Sequence, residues 1–147
     1  MDELVEKMQI ALADIVAFYH KAHKFHWNVT GSDFYQYHLL FQRIYEETYT
    51  SIDDFGEQIR AIDAYAPYSP QEIARLTNLV ERPLGDSHAM VLELYNDCVL
   101  VQSSLMAAYK AADKFNEIGL SNFLQDRFDG IKVLQYLLRS TMKGEQE

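Results

Sequence analysis

The chain holds little of what irregular or disulfide-stapled folds are built from. Its 147 residues include three prolines, six glycines and one cysteine, Cys98. So little proline and glycine disfavours a turn-rich all-β design. A lone cysteine cannot form an internal disulfide, and a reducing cytoplasm is its expected home. No uncharged run approaches the roughly 20 residues that span a bilayer, so no membrane segment is expected. The opening Met1-Asp2-Glu3-Leu4 lacks the basic region and apolar run of a secretory signal. Positive charge is also scarce: 13 Lys and Arg against 22 Asp and Glu leave a net charge of −9. That balance argues against a broad nucleic-acid surface and raises the local concentration of cations.

What the chain has in quantity is helical periodicity. Leu4, Met8, Leu12, Ile15, Tyr19 and Ala22 form one stripe that His26 continues and closes. A second helix is predicted from about Ser32 to Asp63, with Phe34, Tyr37, Phe41, Ile44, Thr48, Phe55, Ile59 and Ile62 on its core side. A third, from about Asp86 to Ala112, carries the heptad Val91, Leu94, Cys98, Val101, Leu105, Ala108 and Ala112. A fourth, from about Glu117 to Met142, buries Leu120, Leu124, Phe128, Ile131 and Leu138. Stripes of this width pack against partner helices, so the fold class is all-α, a four-helix bundle in one domain over residues 1–147. The short link Val29-Thr30-Gly31 makes the first two helices antiparallel neighbours. Ala64 to Gly85 is too long for a hairpin and holds all three prolines. Within it, Ser69-Pro70-Gln71-Glu72 reads as an N-cap followed by proline at the first helical position, opening a short helix to about Leu79. One long crossover bearing an extra helix, between the second and third long helices, is a ferritin-like arrangement.

Two histidines and two carboxylates carry the chemistry. His26 and His38 flank the first turn, and Asp53 and Glu57 lie one helical turn apart further along the second helix. Imidazole nitrogens with hard carboxylate oxygens suit a non-haem iron site. Fifteen residues of helix between His38 and Asp53 span about 22 Å, whereas bonds from protein donors to a transition metal are only about 2 Å long. On a helical wheel with His38 at zero, Gln42, Tyr49, Asp53 and Glu57 fall between about 20° and 100°, while Phe41, Ile44 and Phe55 fall at about −60° to −120°. His38, Asp53 and Glu57 therefore face away from the chain's own core. A two-fold axis near Glu46 would set His38 of one copy opposite Asp53 of another and create two identical sites. The competing reading is a solvated polar face, on which Asp and Glu are commonplace. His20 and His23 read as surface or rim residues, Trp27 as packing, Tyr45 and Tyr49 as interface packing, and Cys98 as a buried small hydrophobe. No glutamate is followed three residues later by histidine, which disfavours a di-iron carboxylate centre inside one bundle.

His26-Trp27-Asn28-Val29-Thr30-Gly31, then Phe34, His38 and Phe41, then Asp53 and Glu57, resembles the signature of the Dps miniferritins (DNA-binding protein from starved cells). Asp126-Arg127 and Leu137-Leu138-Arg139-Ser140 are similar to that family's last helix, so the likeness spans nearly the whole chain. The resemblance implies a homo-dodecameric hollow shell that oxidises Fe(II), usually with hydrogen peroxide in preference to oxygen, and stores ferric mineral against oxidative damage. It implies ferroxidase centres at two-fold interfaces, with His26 and His38 from one chain, Asp53 and Glu57 from its neighbour, and one or two irons per site. It places Trp27 near the iron and makes Asp113 and Glu117 candidates for an acidic iron-uptake pore at the junction of the last two helices.

This chain departs from the pattern in several places. Gln42 stands where many members have an acid that supports a second iron. Ile118 and Asn122 make the pore less acidic, and Gly130, Ile131 and Lys132 replace a more acidic, His-bearing stretch. Helix begins within a few residues of Met1, leaving no basic N-terminal tail, and the tail Met142 to Glu147 is short and net acidic. A DNA-compacting or structural shell protein with a weak metal site is the rival reading. The charge of −9 and the absence of a basic tail count against DNA binding.

Overall fold

Residues 1–146, which the computed structural model describes, form five helices and no strand; Glu147, the last residue of the acidic tail, lies outside the described residues. The helices are α1 (Asp2–Asn28), α2 (Phe34–Ala61), α3 (Pro70–Leu76), α4 (Ser87–Lys114) and α5 (Ile118–Gln146). α1 packs along both α2 and α4, α4 packs along α5, and α3 lies against α1 in the long crossover. This is the four-helix bundle with an extra crossover helix that the periodicity predicts. Among the described residues no helix is long and apolar enough to cross a membrane.

The apolar stripes meet in one core. All seven heptad positions of α4 from Val91 to Ala112 are buried, with Leu4, Met8, Leu12 and Ile15 of α1 and Phe41, Ile44, Phe55 and Ile59 of α2. Asp86 starts α4 by accepting a hydrogen bond from the Ala89 N–H at 2.9 Å, which satisfies one donor that the first turn leaves open. Ser69 and Glu72 start α3 with a reciprocal capping box, Glu72 N–H to Ser69 Oγ at 3.2 Å and Ser69 N–H to Glu72 Oε1 at 3.1 Å. Pro70 follows at the first helical position.

Two helix ends and the burial of one residue differ from those predicted. α3 stops at Leu76 rather than near Leu79 because Asp14, fully buried on α1, captures the chain there. Its carboxylate accepts from Thr77 Oγ1 (2.7 Å), from the Asn78 N–H (2.6 Å) and Nδ2 (3.1 Å), and from Ser104 Oγ of α4. A buried carboxylate needs such donors, and meeting them pulls residues 77–78 out of helical geometry. α5 runs past Met142 to Gln146. Phe34, predicted on the core side of α2, is exposed. As the first residue of α2 it lies beyond the reach of the other helices' apolar faces, and its ring stacks on His38 instead.

Candidate metal site

The turn between α1 and α2 brings two of the four predicted ligands together. Val29 ends α1, its N–H bonded to the Phe25 carbonyl at 3.0 Å, and Gly31 follows at φ 119°, a conformation that side chains rarely tolerate. α2 then returns so that His38 lies face to face with His26, ring centroids 3.7 Å apart and planes within 16°. Each Nδ1 donates to the other residue's backbone carbonyl, His26 to His38 at 2.8 Å and His38 to His26 at 2.7 Å. A carbonyl oxygen only accepts, so both Nδ1 atoms carry a proton, and in the neutral ring each Nε2 is left with a lone pair. A backbone carbonyl holding the other ring nitrogen is how metal-binding histidines are oriented and made more basic.

The pair sits in an aromatic setting. Phe34 stacks on the outer face of His38 at 4.9 Å, and Tyr45 meets His26 edge-on at 5.1 Å. His23 stacks on Tyr45 at 4.1 Å, and the mostly exposed Trp27 lies 4.2 Å from His23. Trp27 is thus placed against the histidine next to the pair. Tyr19 lies 6.2 Å from Tyr45 and 5.3 Å from Tyr49. Burial lowers the affinity of His20 and His23 for a proton, and His26 and His20 add to the effect at His23. Burial raises the Tyr19 phenol above its usual range, and the neighbouring Tyr49, Tyr68 and Tyr45 raise it further. Tyr19, His23 and Trp27 recur at every fourth position of α1, the signal that could have marked this face from sequence.

Asp53 and Glu57 stand elsewhere. Both are exposed on α2, the continuous helix that carries His38, Asp53 about 22 Å and Glu57 about 28 Å further along its axis by rise per residue. They line a cleft of about 660 Å³ with Tyr49, Gly56, Arg60, Pro67 and Tyr68. Among the described residues of one chain, no three His, Cys, Asp or Glu side chains converge on a common metal position. One copy therefore carries a histidine pair at one end of α2 and a carboxylate pair further along it.

The remaining predicted positions are separate. Asp113 is exposed beside a hollow of about 290 Å³ lined also by Tyr109, Asn116, Ile118 and Asn122, and Glu117 sits half-buried in the turn that starts α5. Gln42, one turn beyond His38, donates its amide to Glu46 Oε1 at 2.9 Å. Sequence reading missed the buried polar residues that brace α1, which are Asp14 and the ion pair of Lys21 with Asp97 and Glu93.

Comparison with known proteins agrees with the fold. The family model described as Ferritin-like domain matches residues 5–141. General stress protein 20U of Bacillus subtilis is 26% identical over 141 residues, covering 95% of this chain and 97% of that protein. The Dps structure from Thermosynechococcus elongatus superposes with a TM-score of 0.92 at 18% identity, covering 96% of this chain and 90% of the other. The Dps protein from Vibrio cholerae O1 gives 0.91 at 20% identity over 96% and 89% of the two chains, and is described as a member of a broad superfamily of ferritin-like diiron-carboxylate proteins. At these identities the two structures establish the fold, a ferritin-like bundle.

Proposed function

Because the chain belongs to the ferritin-like domain family and is a Dps-type miniferritin within it, we propose that it oxidises Fe(II) and stores the ferric product inside a hollow homo-dodecamer in the cytoplasm. Hydrogen peroxide is the preferred oxidant, and the consequence is protection from oxidative damage. The observation that carries this reading is the reciprocal His26–His38 pair, in which both Nδ1 protons are committed to carbonyls and both Nε2 lone pairs are left for a metal. The diiron-carboxylate description of the Vibrio cholerae relative points to the same substrate.

In this reading each site forms between two copies, with His26 and His38 from one and Asp53 and Glu57 from the other. An isologous two-fold pairing that crosses α2 near Glu46 gives two such sites per pair. The chain's net charge of −9 draws Fe(II) toward the shell, and Asp113 and Glu117 mark the uptake route. The histidines supply neutral donors of fixed tautomer. The two carboxylates cancel the charge of Fe(II), and their attraction grows when the ion becomes Fe(III), which favours the oxidised product. Gln42, its amide turned to Glu46, offers no anionic oxygen, so each site holds one iron firmly. Reduction of peroxide to water at these sites releases no hydroxyl radical.

The test is oxidation of Fe(II) by the purified protein with peroxide and, separately, with oxygen, followed by gel filtration. Faster oxidation with peroxide and iron that elutes with a shell of twelve copies are expected. Rates equal to a protein-free control, with no iron in the protein fraction, refute the proposal.

A further inference from the structure

Tyr45 and Tyr49 taken alone on α2 are packing residues, but the structure inserts Tyr19 of α1 between them. Starting from the ligand histidine, the rings run His26 to Tyr45 at 5.1 Å, Tyr45 to Tyr19 at 6.2 Å and Tyr19 to Tyr49 at 5.3 Å. Tyr49 lines the cleft that holds Asp53 and Glu57, with Asp53 one helical turn further along. His23 bridges the same rings from the side, 4.1 Å from Tyr45 and 5.6 Å from Tyr19. Redox-active phenols thus fill the interval between the chain's nitrogen pair and its oxygen pair.

We propose that Tyr45, Tyr19 and Tyr49 form an electron path inside each chain that joins the two iron sites of a pair of copies. The inference rests on the shared-site reading above, in which a chain's histidines belong to one site and its carboxylates to the other. About 22 Å of helix is a long distance for direct electron tunnelling, whose rate falls steeply with separation. Three phenols in near contact divide it into short steps.

The path answers a problem of electron count. Peroxide takes two electrons, whereas one Fe(II) gives one. The iron beside His26 and His38 supplies the first. The second is drawn from Tyr45, refilled from Tyr19 and then Tyr49, and supplied finally by the Fe(II) beside Asp53 and Glu57. A phenol that yields an electron sheds its proton and regains it when the next electron arrives, so the tyrosines are not consumed. The balance is one peroxide, two Fe(II) and two protons giving two Fe(III) and two waters. If the path is cut, a single Fe(II) cleaves peroxide to hydroxide and hydroxyl radical.

Tyr19→Phe cuts the path at its middle, keeps the ring and touches no ligand. Assembled protein is loaded with at most one Fe(II) per site and given peroxide below the iron. Three quantities are read: iron oxidised per peroxide, spin-trapped hydroxyl radical, and the tyrosyl signal in freeze-quenched electron paramagnetic resonance. The wild type is expected to oxidise two irons per peroxide, with a transient tyrosyl signal and little trapped radical. Tyr19→Phe, binding Fe(II) as before, is expected to fall toward one iron per peroxide, with a several-fold rise in trapped radical. Tyr49→Phe is expected to do the same and serves if Tyr19→Phe does not assemble. Wild-type stoichiometry and trapping in both variants, or no tyrosyl signal in the wild type, overturns the path while leaving the ferroxidase reading standing. A wild type that binds and oxidises no Fe(II) overturns both.

Discussion

Lys21 donates to Asp97 at 2.9 Å across the seam between α1 and α4, joining residues 76 apart in sequence, both of them buried. The same ammonium lies 2.8 Å from Glu93. The contact fixes how α1 is held against α4 about one and a half turns before the helix delivers His26.

Lys21→Met should be among the more damaging single changes in the bundle. It leaves Asp97 and Glu93 without their counter-ion, and removing one partner of a buried pair costs about 3–5 kcal/mol. Urea unfolding measures the loss. A double variant, Lys21→Met with Asp97→Leu, should recover most of it, since an apolar replacement of a buried pair is often neutral. A loss below about 1 kcal/mol, the range of exposed pairs, would show the seam to be open to water.

The pH dependence of stability should carry the mark of Asp97. Burial pushes its carboxyl above the ordinary range and Glu93 adds to the rise, while Lys21 pulls it down without reversing it. Between the unfolded value and the higher folded value, the folded state binds more protons than the unfolded state. Stability contributed by this group is therefore full below the unfolded value and is lost as pH rises through the folded one. Unfolding free energies of wild type minus Asp97→Asn, measured across the carboxylate range, should decline with pH and then level off. A difference that rises with pH would mean that attraction to Lys21 outweighs burial.

Complementation between variants should reveal how the sites are shared. A variant with His26→Ala and His38→Ala, and another with Asp53→Ala and Glu57→Ala, should each assemble and oxidise iron slowly. In a mixed pair one site gathers both defects and the other both intact halves. Random co-refolding makes about half the pairs mixed, so about a quarter of all sites should revive under two-fold symmetry. Mixed shells that stay inactive despite proven co-assembly would overturn the shared-site reading.

Duplex DNA should not be retained at physiological salt. Affinity for the phosphate backbone comes largely from Lys and Arg, and these 147 residues carry 13 of them against 22 acids. A mobility-shift assay at about 0.15 M salt, where charges are screened beyond about 8 Å, is the measurement, with chelator present to prevent metal bridging. A shift that persists under those conditions contradicts the prediction.

The bundle was legible in sequence because its helices are long and their stripes regular; the α4 heptad from Val91 to Ala112 is buried at every position. What escaped was set by partners far along the chain. Asp14 reads as an ordinary charge until Thr77, Asn78 and Ser104 converge on it, and that convergence moved the end of α3. Phe34 fits the apolar period yet lies exposed at the helix end, because periodicity gives a direction and says nothing of what is there to meet it. The same limit held at the site. Spacing singled out His26, His38, Asp53 and Glu57, but the mutual Nδ1-to-carbonyl bonds depend on how sharply the chain turns at Gly31. In the proposed reading, the histidine and carboxylate pairs meet only across two molecules, which no single-chain pattern can display.

Cys98 gives the protein a built-in reporter of its own opening. The thiol is fully enclosed at the centre of α4, and burial, with Asp97 adding to it, suppresses the thiolate that alkylating reagents need. A thiol reagent added to the native protein should therefore find nothing to modify until α4 separates from its neighbours. The labelling rate then follows how often the bundle breathes. With one sulfhydryl in the sequence, that clock needs no engineered probe and reads a single location.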